Sequence, residues 1–488
     1  MEGRPQRTMN RRTSPRSGSP QHPHPSPRRR VQLEGRPPSH QTIRHRRIGF
    51  AVLSGLVVAA AAGIAAGDDD RPRPALEIDG TSVTPAASDS AGSDPAAGER
   101  GSDRRSGGLD QRVPLEELPD ILIGDAALRG RIALSTMTEV GDHYEVRLDG
   151  GRRARLTLDP TLQKQAQRIL TLSRAPMAAI VAMAPDGRIL ALAGRKHGPP
   201  TDDGAYDLAT KVWAPAASVF KLVTAAALLQ AGVGASSPVC FHGGLREVAA
   251  SNLEDDPRRD RQCQDLTFAV AESQNAIVAK LAHKFLDRGK LSAAASAFGL
   301  GRAASFSLDC EASRVSVPDD ALEQARFAAG FWSSELSAMD GAILASVVAN
   351  RGMRLTPRIV AEVVEKDGKR RRVVAVPGER AIPARVASTI AEMMVQTTER
   401  GTAYRAFHQR RGGAVLRGIK VAGKTGSLDR DAPSYMGFSW FVGFAPSDRP
   451  EVIVSVVLGN QEKWWLKGHT AARMLLEVAM AHRPARAD

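Results

Sequence analysis

The stretch from Ala214 to Gly232 constrains this chain more than any other. It reads Ala-Pro-Ala-Ala-Ser-Val-Phe-Lys-Leu-Val-Thr-Ala-Ala-Ala-Leu-Leu-Gln-Ala-Gly. Pro215 suits the first turn of a helix, and Gly232 suits its end. Between them the residues are apolar nearly all round, which predicts a helix buried on every side. The chain of 488 residues is long enough for two or three domains, with ample core for one large one. Two residues of the stretch carry chemistry. Ser218 falls in the expected first turn, where unpaired backbone N–H groups and the helix dipole favour developing negative charge. Lys221 lies one turn on, on the same face. Burial disfavours its charged form, so its pKa should fall and a neutral amine become accessible near pH 7. A serine hydroxyl is a weak nucleophile without such a base beside it. Taken alone, the same pair also fits a helix cap and a snorkelling lysine.

Two further motifs follow in order, Ser273-Gln274-Asn275 and Lys424-Thr425-Gly426. An ordered S-x-x-K, S-x-N and K-T-G set belongs to the serine enzymes that react with penicillin. Flanking stretches add to it: Leu156-Thr-Leu-Asp-Pro-Thr-Leu-Gln163, Ala349-Asn-Arg-Gly352 with Pro357, Val421-Ala-Gly-Lys-Thr-Gly-Ser427, and Trp440-Phe-Val-Gly-Phe-Ala-Pro446. The chain resembles a penicillin-binding protein transpeptidase domain from near Leu156 to its C-terminus. The resemblance implies an α+β fold, an antiparallel five-stranded sheet flanked by helices beside a largely helical subdomain. It implies catalytic roles for Ser218, Lys221, Ser273 and Asn275, and substrate binding by Lys424, Thr425, Gly426 and Ser427. Ser218 would attack the penultimate D-alanine of a peptidoglycan stem peptide, and Lys221 would take its proton. Ser273 would relay protons, and Asn275 would hold the substrate backbone. Lys424 and Thr425 would bind the terminal carboxylate. Gly426 would let substrate approach the strand, and the N–H groups of Ser218 and Ser427 would form an oxyanion hole. Threonine is common in the family where Ser427 stands. No cofactor is implied. Peptidoglycan stem peptides, β-lactams and other cell-wall synthesis proteins are the implied partners.

Periodicity gives a compatible order of elements. A helix is expected near Pro160–Leu172, then a hairpin of Met177–Ala184 and Ile189–Ala193 about Pro185-Asp-Gly187. Helices follow around Phe268–Phe285, Leu322–Phe331, Ala338–Val348 and Pro383–Thr398. Strands are expected at Ile419–Thr425, Phe438–Phe444 and Val452–Leu458, and a last helix near Thr470–His482. Strands at both ends with helices between them indicate one antiparallel sheet in an α+β domain.

The net charge of +14 invites a nucleic-acid reading, but its distribution opposes one. Residues 1–47 hold twelve Arg, two Glu and eight Pro, with no hydrophobic period. They read as a basic, disordered cytoplasmic tail. Residues 48–67 are uncharged and long enough, as a helix, to cross a bilayer. Arg44, Arg46 and Arg47 before this span predict an N-in, single-pass anchor with the remainder exported. A cleaved signal peptide is the other reading, and it exports the same domain. Residues 68–112 read as a flexible extracytoplasmic linker, 113–155 as a small β-containing pedestal, and 156–488 as the transpeptidase domain. The segment before Leu156 is too short for the glycosyltransferase domain of bifunctional family members, which implies a monofunctional enzyme.

Cys240 and Cys263 could close a loop with little core of its own, or remain two free thiols. Cys310 would then be free and buried. No C-x-x-C or His-rich cluster suggests a metal site. Glu272 adjoins the second motif without an assigned role, and His469 reads as a helix-start residue. The leading function is a D,D-transpeptidase. A D,D-carboxypeptidase or serine β-lactamase would share its acylation step. A non-catalytic β-lactam sensor is a different class, and the full set of catalytic residue types argues against it.

Overall fold

Two large sheets and the helices packed on them make up most of the computed structural model, which describes residues 114–196, 204–431 and 434–482. The described residues belong to one compact unit. The tail, span and linker expected at 1–47, 48–67 and 68–112 lie outside them. Among the described residues no helix is long and apolar enough to cross a membrane.

The central sheet has five antiparallel strands in the order Ala422–Arg430, Met436–Ala445, Val452–Asn460, Met177–Met183 and Ile189–Lys196. Every residue of Val452–Asn460 is buried, so this strand is covered on both faces. Strand alternation divides its side chains between two cores. Val454, Val456 and Leu458 pack with the helices Pro160–Ser173 and Gly468–His482. Ile453 and Val457 pack with Ala338–Ala349 on the other face. Pro160–Ser173 begins as its sequence predicts: Pro160 opens it, and Asp159 accepts a hydrogen bond from the Leu162 N–H at 3.0 Å.

The helical side holds Lys221–Gln230, Leu266–Ala271, Asn275–Phe285, Arg288–Ala297, Ala321–Ala328 and Ala384–Glu399. Lys221–Gln230 is buried from Lys221 through Leu228, as its all-round apolar pattern requires. Its start differs from expectation. Pro215 is not in a first helical turn. Ala214 and Pro215 form a short strand against Ser334–Leu336, and Ala217–Phe220 is a 3-10 turn that leads into the helix. Tertiary pairing overrides the local signal here. The Pro215 carbonyl accepts from Trp440 Nε1 at 2.9 Å, and the Ala216 N–H donates to the Ser334 carbonyl at 2.9 Å. The other end is as read: Gly232 is left-handed at φ +89°, and the Val233 N–H closes on the Leu228 carbonyl.

The single helix expected over Phe268–Phe285 is broken at Glu272–Gln274, where Ser273 takes φ 58°. The helix Arg288–Ala297 was not anticipated; Asp287 caps it by accepting from the Lys290 N–H at 2.7 Å. The strand expected at Ile419–Thr425 instead runs Ala422–Arg430, which puts the whole third motif inside it.

The second sheet has six strands, in the order Ile121–Ile123, Arg370–Val374, Val360–Val364, Arg153–Leu156, His143–Arg147 and Thr138–Val140. Segment 113–155 thus takes two neighbouring strands from residues 360–374. Buried Asp125 ties these distant pieces together. Its carboxylate accepts from the Ser307 N–H at 3.0 Å, the Ser307 hydroxyl at 3.1 Å, and the N–H groups of Ile359 and Val360 at 2.7 and 2.9 Å. Cys240 and Cys263 form a disulfide across the paired strands Val239–Phe241 and Gln262–Gln264. Cys310 is free and only half-buried, and burial pushes its thiol pKa up.

Candidate active site

Three elements meet at Ser218. The 3-10 turn presents its hydroxyl, half-buried, one turn before Lys221. Lys221 is 0% exposed, and its Nζ lies 2.9 Å from Ser218 Oγ. The same Nζ donates to Asn275 Oδ1 at 2.6 Å and to the Ala329 carbonyl at 2.5 Å. None of these partners carries a negative charge. Burial, and then the charge of Lys424, hold the Lys221 pKa well below the usual lysine value.

Breaking the expected helix at Ser273 is what brings the second motif here. Ser273 takes a left-handed backbone with its hydroxyl beside Lys424, and Asn275 starts the next helix. Asn275 Nδ2 donates to the Leu245 carbonyl at 2.9 Å, which leaves Oδ1 for Lys221. The third motif lies on the edge strand Ala422–Arg430. Lys424, also 0% exposed, donates to Ser273 Oγ at 3.0 Å and to the Thr425 carbonyl at 2.9 Å. Burial lowers its pKa to about 7, and the negative charge of Glu272 opposes that fall. Thr425 Oγ1 shares a hydrogen bond with Thr402 Oγ1 at 2.6 Å. Ser427 is exposed on the same strand.

The eight sequence-predicted residues are thus contributed by three adjoining elements. Hydrogen bonds join Ser218 to Lys221, Lys221 to Asn275 and Ser273 to Lys424. Gly426 has a structural reason of its own. A Cβ there would meet Trp440 Cβ at 3.1 Å, and Ala217 Cβ and Val219 Cγ1 at 3.3 Å. Its missing side chain therefore lets the edge strand lie against the nucleophile turn. His469 opens the helix Gly468–His482, and burial, aided by Lys467, lowers its pKa to about 4. Among the described residues no group of three His, Cys, Asp or Glu could hold a metal ion.

Four contributors were missed in the sequence. The Ala329 and Leu245 carbonyls carry no side-chain signal. Thr402 is an ordinary exposed threonine until its partner is known. Gly330 sits just past a helix end, where glycine is common for another reason. A Cβ at Gly330 would lie 2.2 Å from the Ala217 carbonyl and 3.1 Å from Ser218 Cα. Its position after Ala321–Ala328 hid this close approach.

Chemically, the arrangement puts a hydroxyl beside a desolvated amine, with a second buried lysine held by Ser273 and Thr425. The family model described as the penicillin binding protein transpeptidase domain matches residues 177–478. Penicillin-binding protein PbpB of Mycobacterium tuberculosis is 26% identical over 349 residues, covering 66% of this chain and 51% of that protein. Peptidoglycan D,D-transpeptidase PbpA of Mycolicibacterium smegmatis is 25% identical over 371 residues, covering 68% and 72%. The chain spans about half the length of the PbpB relatives it matches. Among solved structures, the D,D-transpeptidase domain of a peptidoglycan glycosyltransferase from Eggerthella lenta has a TM-score of 0.58 at 23% identity, covering 72% of this chain and 92% of that one. Penicillin-binding protein A from M. tuberculosis, as its imipenem acyl-enzyme complex, has a TM-score of 0.57 at 23% identity, covering 68% and 80%. These two structures share the fold. The match over the greater part of the sequence has its basis in the fold just described, and the chain belongs to the penicillin-binding protein transpeptidase family.

Proposed function

We propose that the chain is a serine D,D-transpeptidase that cross-links peptidoglycan stem peptides and is acylated by β-lactams at Ser218. The observation that carries this is the hydrogen bonding of Lys221. A neutral amine has two N–H bonds and one lone pair. Asn275 Oδ1 and the Ala329 carbonyl take the two N–H bonds. The lone pair is then left for Ser218 Oγ at 2.9 Å, where it can accept the hydroxyl proton.

Ser218 Oγ attacks the carbonyl carbon of the penultimate D-alanine while Lys221 takes its proton. The N–H groups of Ser218 and Ser427 receive the oxyanion, each such donor worth about 3–4 kcal/mol. Collapse of the tetrahedral intermediate breaks the peptide bond. The leaving amine of the terminal D-alanine takes a proton through Lys221 or Ser273, and an ester to Ser218 remains. The amine of a second stem peptide attacks that ester, restores the Ser218 hydroxyl and forms the cross-link. Protonated Lys424, with Thr425, receives the terminal carboxylate of the donor peptide. β-Lactams enter as mimics of that peptide and leave Ser218 acylated. For the segment outside the described residues we propose the N-in, single-pass arrangement, with the catalytic domain outside the cytoplasmic membrane. Protease added outside spheroplasts should then remove the catalytic domain and spare the basic tail.

Intact-mass spectrometry of the full chain with penicillin tests the chemistry. A lasting adduct that maps to Ser218 supports a transpeptidase. An adduct that turns over rapidly favours a serine β-lactamase, and no adduct overturns the acylation reading. Ser218→Ala removes the nucleophile. Lys221→Arg keeps the charge but cannot deprotonate in a protein. Both should fold by circular dichroism and form no adduct. A folded Lys221→Arg chain that acylates within about tenfold of the parent (about 1.4 kcal/mol) would remove Lys221 as the base.

A further inference from the structure

Asn275 presents a choice that its own shape does not make. The two ends of an asparagine amide are nearly equal in size, so hydrogen-bond partners decide which end faces where. With Oδ1 toward Lys221, the amide takes an N–H from the base. With Nδ2 there instead, the amide would repel an ammonium, and would occupy the lone pair of a neutral amine with an N–H of its own. The partner that excludes the second arrangement is the Leu245 carbonyl, which accepts from Nδ2 at 2.9 Å.

Leu245 is itself 68% exposed and lies on a loop outside regular structure. Its carbonyl therefore depends on how that loop is held. The loop is closed on itself and tied to the same helix, Asn275–Phe285, that carries Asn275. The disulfide Cys240–Cys263 closes the loop at its base. Lys280, on that helix, donates to the Cys240 carbonyl at 3.0 Å and to Asp260 Oδ2 at 2.6 Å. The Lys280 and Asp260 side chains are each 4% exposed. The other oxygen of Asp260 pairs with His242 Nδ1 at 2.5 Å, and the His242 carbonyl accepts from buried Asn252 Nδ2 at 2.9 Å. Gly244 is left-handed at φ +69°, and a Cβ there would lie 2.3 Å from Ala276 Cβ and 2.9 Å from its N. The loop backbone thus rests directly on the first turn of the helix, one residue before Leu245. A buried ion pair of this kind is better at fixing register than at adding stability.

We infer that the disulfide-closed loop 240–263 is a positioning element for the catalytic base, fixing through the Leu245 carbonyl which end of the Asn275 amide faces Lys221. The inference rests on the acylation reading above. None of the loop's ties touches substrate or the reacting atoms. Their effect reaches Ser218 only through Asn275 and Lys221.

The test uses two full-chain variants, Cys240→Ser with Cys263→Ser, and Gly244→Ala. The first opens the loop at its base. The second leaves the disulfide and pushes the backbone away from Ala276. For each, the second-order rate of acylation by a fluorescent penicillin is measured across pH, with circular dichroism and thermal melting to establish the folded range. Once Asn275 is free to turn, Lys221 loses an acceptor that stabilises its charged form, so its pKa falls further. We expect the plateau rate to drop at least tenfold and the acid limb to move to lower pH in both variants. A purely structural role would lower the melting temperature and leave the limb in place. A folded variant with a plateau within threefold of the parent overturns the inference, as does a limb that stays or moves upward. If the cysteine variant does not fold, Gly244→Ala carries the test alone. A parent chain that forms no adduct strikes the acylation reading instead, and this inference falls with it.

Discussion

Lys424 and Lys221 are both buried, yet the proposed chemistry asks opposite things of them. Lys221 must lose its proton to act as base, while Lys424 must keep one to receive a carboxylate. Glu272 separates the two cases, because its negative charge raises the Lys424 pKa against burial. With that pKa at about 7, carboxylate recognition should be strong below neutrality and weaken as pH rises through 7. Glu272→Gln removes the supporting charge. Its alkaline limb of acylation, followed with a carboxylate-bearing β-lactam, should therefore move to lower pH; a limb that does not move would detach Glu272 from Lys424. Thr402→Val keeps the shape and removes the hydroxyl that meets Thr425 at 2.6 Å. A hydrogen bond of this kind contributes about 1 kcal/mol to stability, so the unfolding free energy should fall by about that amount, read as a lower urea midpoint. At this scale the sequence is informative where the candidate site is made of side chains in a fixed order, as in Ser218, Lys221, Ser273, Asn275, Lys424 and Thr425. It was silent on Leu245 and Ala329, whose contribution is a backbone carbonyl that any residue could supply.

Elements with strong periodicity were legible, and those shaped by a neighbour were not. Pro160–Ser173 and Val452–Asn460 fall close to their expected bounds because capping and burial are written locally. The start of the nucleophile element is not local. Pro215 follows Trp440 and Glu335 rather than its own preference for a first helical turn. The break at Ser273 is hidden for the same reason: left-handed backbone at a serine is a strained choice that packing imposes. Gly330 shows how tight this packing is. Gly330→Ala would place a Cβ 2.2 Å from the Ala217 carbonyl, at a residue with φ +85°. It should cost about 2–4 kcal/mol, read as a lower urea midpoint, and slow acylation because the clash falls on the turn that carries Ser218. An unchanged midpoint would mean that the turn yields without strain.

For the whole molecule, the five-stranded sheet was expected, while the make-up of the six-stranded sheet could not be read. Residues 360–374 show ordinary strand composition, and nothing in them names partners more than two hundred residues earlier. Asp125 is the joint. Its carboxylate satisfies three backbone N–H groups and one hydroxyl from two separate segments. Asp125→Ala strands these buried donors and should cost about 3 kcal/mol or more, measured by denaturant unfolding. Asp125→Asn keeps one accepting oxygen and should cost less.

The order of strands in the central sheet also governs when the protein can work. Ser218 and Lys221 leave the ribosome early, but the edge strand bearing Lys424 pairs with Met436–Ala445, that strand with Val452–Asn460, and only the last of these with Met177–Met183. The first two pairings are local, but the last joins segments at opposite ends of the domain, and long-range pairing of this kind forms slowly. A chain that ends before residue 422 has Ser218 and Lys221 but lacks the strand that carries Lys424. The nucleophile turn and the strand bearing Lys424 are therefore brought together only once the last third of the domain has been made.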